Sequence, residues 1–139
     1  MSSSRRALCR LTGDPQVDRE HTSLVAQLDR LERDLQAGDQ QDVAGTMSFL
    51  LAYVIEHFTN EEQLLAAAHW PGLAAHQVQH AELVARLDQM VKAHHQGEAG
   101  LSLAVAELLS GWLISHINTA DQEWATEIVR PALTAAGQG

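Results

Sequence analysis

The apolar residues of this chain recur at alternating intervals of three and four in four separate runs, and period-two alternation is never sustained. That spacing lines one face of an α-helix, whereas a half-buried strand needs strict alternation. The first run reads Leu24, Leu28, Leu31 and Leu35, with His21 one turn earlier on the same stripe. The second reads Val43, Met47, Leu50, Val54, His57, Glu61, Leu64 and Ala68, and the third Leu73, His76, His80, Leu83, Leu87 and Met90. The fourth carries Val105, Leu109, Trp112 and His116 on one stripe, with Ile117, Asp121, Trp124 and Ile128 on the stripe beside it.

Helix-breaking residues fall between these runs. Asp14-Pro15 precedes the first, Ala37-Gly38 closes it, and Trp70-Pro71-Gly72 separates the second from the third. Gly97 and Gly100 part the third from the fourth, and Pro131 is expected to end it. Asp18 is expected to cap the first helix, because its carboxylate can accept from the free amides of the first turn. Short connections favour antiparallel neighbours, so the expected fold is all-α, an up-down-up-down antiparallel four-helix bundle. Residues 1–139 read as one domain: an N-terminal arm over 1–16, the bundle over 17–129 and a tail over 130–139.

Composition agrees with helices. Apolar residues make up 45% of the chain but aromatics only 4%, so the core rests on Leu, Ala and Val. Eighteen acidic against nine basic residues leave a net charge of −9, which disfavours nucleic acid and anionic lipid as partners. No apolar stretch has the length of a membrane span or a targeting leader, so a cytoplasmic location is expected. With ordinary helix exteriors, a monomer is the simplest expectation. Cys9, the single cysteine, excludes an internal disulfide and a thiolate metal cluster, and is read as incidental.

Eight histidines are unusual for this length, and their positions carry the chemistry. His21, His57, Glu61, His76, His80 and His116 stand where Leu or Val is expected, and Asp121 interrupts the adjacent inner stripe. A buried charged carboxylate costs several kcal/mol unless a cation or a set of donors compensates it. Two carboxylates and five imidazoles at one level of a bundle therefore point to metal. The spacing of four aims His57 with Glu61, and His76 with His80, at one locus. His116 and Asp121, five apart, are roughly 140° apart on an ideal helix. They either straddle the inward face or are aligned by a local π-type widening.

If Glu61 and Asp121 bridge two metals together with a solvent-derived oxygen, five histidines divide three and two. One metal is then closed at six ligands, and the other keeps an open position for a small ligand. Imidazole and carboxylate suit iron, zinc, manganese or cobalt, and iron is preferred because reversible dioxygen chemistry needs a redox change at the metal, which zinc cannot provide. His69, beside a turn, and His94 and His95, far along the third helix, are read as solvated or end-of-bundle residues. Glu62 is read as surface. Trp112 and Trp124 are read as core, with a pocket-lining role for Trp112, Ile117 or Phe58 as the lesser alternative.

The run His57-Phe58-Thr59-Asn60-Glu61-Glu62, then Trp70-Pro71, His76 and His80, resembles the hemerythrin family pattern HFxxEE…(Y/W)P…HxxxH. The flanking Asp18-x-x-His21 and Trp112-Leu113-x-x-His116-Ile117-x-x-x-Asp121 resemble that family's outer motifs, so the likeness runs from about residue 17 to residue 125. It implies two non-haem iron ions joined by an oxo or hydroxo bridge. His76, His80 and His116 would hold the closed iron, His21 and His57 the open one, and Glu61 and Asp121 would bridge. It also implies reversible dioxygen binding at the open iron for transport, storage or delivery, with an oxygen-accepting protein as a partner, and no enzyme activity. The alternatives are a di-iron enzyme, or a sensor or detoxifier of oxygen, nitric oxide or peroxide. Ferritin-like enzymes use Glu-x-x-His pairs, and none of the ten glutamates here has a histidine three residues on. Leu65, where many bacterial members have Met, and Ser115, where Asn is frequent, depart from the family pattern and bear on tuning.

Overall fold

A computed structural model describes residues 9–38, 40–96 and 103–133. Four long helices, α1 (Pro15–Ala37), α2 (Gln40–Ala67), α3 (Leu73–His95) and α4 (Leu103–Asn118), form the expected antiparallel bundle. A short α5 (Ala120–Trp124) and a π-helical turn (Ala125–Val129) follow α4. Helix α1 packs on α2 and α4, and α2 packs on α3. No helix among the described residues is long and apolar enough to cross a membrane.

The start of α1 differs from expectation. Asp14 is the N-cap, its Oδ2 accepting from Val17 N at 2.9 Å, and Pro15 occupies the first helical position, where its missing N–H costs nothing. Asp18, expected to cap, sits inside the first turn. Its carboxylate instead binds the arm: Oδ1 accepts from Thr12 N and Thr12 Oγ1, each at 2.8 Å, and Oδ2 from Gly13 N at 3.1 Å. Helix α1 closes on Gly38 at φ 75°, whose N–H reaches back to the last carbonyls. The α2–α3 turn is made similarly, but with His69 in the left-handed position at φ 55°. His69 is exposed, as expected. Gly97 and Gly100 lie outside the described residues.

The C-terminal helix does not stop at Pro131. It is interrupted earlier, at Thr119 (φ −119°, ψ −73°), and remains helical over 130–133. A proline ring collides with the carbonyl four residues back in an α-helix, and the wider turn at Ala125–Val129 makes room there.

The buried faces follow the predicted stripes with small rotations. On α2 the stripe ends on Leu65 in place of Leu64 and Ala68, and on α4 it runs through Ala106, Leu109, Leu113 and Ile117, leaving Val105 and Trp112 half-buried. The core is divided in two. A large cluster includes Leu24, Leu28, Leu50, Val54, Leu83, Leu87 and Leu113, and a smaller one joins Val17, Leu65, Trp124 and Ala125. The seven polar residues that interrupt the stripes are all buried as well.

Candidate metal centre

Two carboxylates organise the polar layer. Glu61, fully buried on α2, and Asp121, 1% exposed on α5, each turn one oxygen to one group of histidines and the other oxygen to a second group. Glu61 Oε1 lies 2.5 Å from His76 Nε2 and 3.3 Å from His80 Nε2. Asp121 Oδ1 lies 3.1 Å from His76 Nε2 and 3.3 Å from His116 Nε2. On the other side, Glu61 Oε2 is 3.4 Å from His57 Nε2 and 3.9 Å from His21 Nε2, and Asp121 Oδ2 is 3.2 Å from His21 Nε2. The potential ligand atoms therefore fall into two sets, Glu61, His76, His80, His116 and Asp121 in one, and His21, His57 and Glu61 in the other.

His116 and Asp121 meet because the helix is interrupted between them. Thr119 N and Oγ1 both donate to Ser115 O, at 3.0 and 2.7 Å, and a new helical segment begins at Ala120. The π-turn lies downstream of both residues, so the widening that would have aligned them is not where their spacing would require it.

Three imidazoles are fixed from outside. His57 Nδ1–H donates to Glu20 Oε1 at 2.7 Å, His80 Nδ1–H to Glu62 Oε2 at 2.8 Å, and His116 Nδ1–H to Gln79 Oε1 at 3.0 Å. Each bond sets the tautomer, so each Nε2 presents a lone pair inward, which is how metal-ligating histidines are usually oriented. Glu62, expected at the surface, is thus turned toward His80. Glu20, Glu62 and Gln79 were not expected at the site. Each is the immediate neighbour of a cluster residue on its own helix and reaches a histidine on the next one, and Glu62 is also the second glutamate of the HFxxEE-like run.

Aromatic rings wall the layer. Phe58 stacks on His80 with ring centroids 3.6 Å apart, and Trp112 stacks on His116 at 5.4 Å. Trp124, expected in the core, is fully buried, and its indole N–H donates to Asp121 Oδ1 at 3.2 Å.

The electrostatics show what the layer lacks. Burial pushes Asp121 upward, yet the close imidazoles of His116, His21 and His76 hold its carboxyl well below the usual range. Burial and the Asp121 charge raise Glu61, and His76, His80 and His57 more than reverse this. Burial disfavours the charged forms of His76 and His21, but the two carboxylates raise His76 to about 9 and Asp121 raises His21. Protons on imidazoles thus balance buried negative charge. Even so, His21 Nε2, Glu61 Oε2 and Asp121 Oδ2 are buried with no hydrogen-bond partner, since the short approach of His21 to Asp121 is not aligned for one. A buried atom in that state costs roughly 1–3 kcal/mol. Cations accept from all three at once, so the donor set fits metal.

A helical bundle with buried, carboxylate-linked histidines from all four helices defines a metal-binding bundle protein. The family model of the hemerythrin HHE cation binding domain matches residues 12–128. The chain is 26% identical to bacteriohemerythrin of Methylococcus capsulatus over 76% of its own length and 81% of that protein's. It is 26% identical to myohemerythrin-1 of Phascolopsis gouldii, over 76% and 77% respectively. A crystal structure of wild-type hemerythrin shares the fold at a TM-score of 0.80, with 24% identity, 83% of this chain and 88% of that one covered. The chain belongs to the hemerythrin family, and its His/Glu/Asp cluster is suited to the non-haem di-iron centre of that family.

Proposed function

We propose that this chain binds dioxygen reversibly at a di-iron centre and serves as a carrier, store or delivery protein of the cytoplasm, not as an enzyme. His76, His80 and His116 would hold one iron, His21 and His57 the other, with Glu61 and Asp121 bridging. The observation that carries this reading is the three-to-two division of histidines about shared carboxylates. A metal held by His21 and His57 would have one protein ligand fewer than its partner, which would leave room for a small molecule to bind. The iron pair would supply electrons that can be lent to dioxygen and recovered.

The protein's own contribution is restraint. Glu20, Glu62 and Gln79 hold three rings in place, and Phe58, buried against His57, His80 and His116, shields the layer on one side. A site rich in imidazole and poor in carboxylate favours binding over oxygen–oxygen cleavage, which supports a carrier over an oxidase. The test is an optical titration of iron-loaded protein, reduced without air, then exposed to oxygen and purged in cycles. Charge-transfer bands that appear and vanish through several cycles are expected. Irreversible conversion to the oxidised form on first exposure would refute the carrier reading in favour of an enzyme or a sensor.

A further inference from the structure

His21 differs from the three outwardly anchored histidines. Its Nε2 faces Asp121 and Glu61, while its Nδ1, on the other side of the ring, is buried without any hydrogen-bond partner. The ring, 3% exposed, lines a pocket of about 150 Å³ between arm residues Cys9, Arg10 and Leu11 and the α1 residues Asp18 and Thr22. One water needs roughly 10–15 Å³ of such space, so the pocket has ample room.

The arm that roofs this pocket is tied down along its length. Arg10 N donates to Asn118 Oδ1 at 2.8 Å, Gln122 Nε2 to Arg10 O at 3.3 Å, and the Arg130 guanidinium to Leu11 O at 3.2 Å. Asp18 holds the next two residues through its three accepted bonds. A carboxylate has about four lone-pair sites, so one remains, and it sits one helical turn before His21.

We propose that ordered water in this pocket accepts from His21 Nδ1–H and donates to the remaining lone pair of Asp18, making Asp18 the positioning residue of His21. The proposal rests on the reading of His21 as an iron ligand through Nε2. An anion is disfavoured in that place by the Asp18 charge, and water satisfies donor and acceptor together. The outer anchor set is then complete for the His21/His57 metal, with one protein carboxylate acting directly and one through solvent. The difference has a consequence for exchange: the His21 ring proton borders water, whereas those of His57 and His80 are donated to protein.

The test is proton NMR of the diferric protein with labelled histidine, following the shifted ring N–H signals of the ligands. The His21 signal is expected to exchange with deuterium roughly tenfold faster than those of His57 and His80, as befits a bond to exchangeable solvent. Thr22→Leu, which fills the pocket from its rim and leaves the arm's anchors in place, should shift the His21 signal and slow its exchange. Asp18→Asn should shift the same signal and leave those of His80 and His116 unmoved. A His21 proton that exchanges as slowly as the others, or a signal unmoved in both variants, would overturn the proposal. A chain that takes up no iron would overturn the ligand reading, and the proposal with it.

Discussion

Replacing Glu62 by Ala tests whether the outer anchors set the strength of the centre. Glu62 Oε2 accepts from His80 Nδ1–H at 2.8 Å, a charge-assisted bond. Without it the ring keeps its stacking on Phe58 but loses the bond that fixes its tautomer, and its Nε2 becomes a weaker donor to a cation. Removing an outer partner of a ligating histidine typically lowers metal affinity 10–100-fold, about 1.4–2.8 kcal/mol. The Glu62 side chain is 25% exposed, so solvent partly replaces it, and the lower end, about tenfold, is expected.

The assay is competition of apo-protein against a chelator of known affinity, with ferrous iron or zinc as the probe. Gln77→Ala is the control, because Gln77 Nε2 donates to the outer oxygen of Glu62 at 3.1 Å on the exposed side. Its removal should change affinity by less than a factor of about two, as surface contacts do. An unchanged affinity in Glu62→Ala, or an equal loss in both variants, would refute the claim that this bond prepares His80 for metal.

Glu61→Ala should abolish binding of two irons per chain, since it removes an oxygen from both ligand sets; metal analysis that still finds two irons would sink the bridging assignment. His69→Gly should stabilise the fold by about 0.5–1 kcal/mol in thermal or urea unfolding, because it relieves a left-handed residue whose side chain is exposed. Apo-protein should be most stable between about pH 4.5 and 6.5. His76 and His21 are raised above their ordinary 6.5, so their contribution is present below that value and fades as pH climbs, for His76 through about 9. Asp121 and Glu61 are lowered from 3.8 and 4.5, so theirs is present above those values and lost as pH falls. A metal takes the place of those imidazole protons, so loading should remove the alkaline decline; an unfolding profile of apo-protein that is flat from pH 6 to 9.5 would contradict this.

The seven residues that meet in the buried polar layer stood out in the sequence for one reason: each is a polar residue on a stripe otherwise apolar, and a polar residue in a core demands a partner. The roles of Glu20, Glu62 and Gln79 were not legible, because each stands on the outward shoulder of its helix, where polar residues are the ordinary choice; Glu62, though part of the HFxxEE-like run, was read as surface for that reason. The start of α1 was misplaced by the nearness of two aspartates. Asp14 precedes a proline suited to the first turn, which favours it as the cap, and Asp18 is then released to hold Thr12 and Gly13. The interruption at Thr119 has no proline or glycine to announce it, and Pro131, which would ordinarily end a helix, follows a widened turn that accommodates it. In each case the misleading cue was local and the deciding one tertiary.

The outer anchors also explain how four helices are held in register around so small a site. Glu20 on α1 reaches His57 on α2, Glu62 on α2 reaches His80 on α3, and Gln79 on α3 reaches His116 on α4. Each anchor lies beside a residue of the cluster itself: Glu20 by His21, Glu62 by Glu61 and Gln79 by His80. Turning any of these three helices by one residue swings its side chains through about 100°. Such a slip would withdraw a cluster residue and, in the same motion, the anchor of a histidine on the following helix. Leucine stripes are non-directional and permit small rotations of a helix at little cost. A chain of bonds in which each helix both contributes to the centre and orients the next does not, so the polar layer specifies the alignment that the apolar core alone leaves loose.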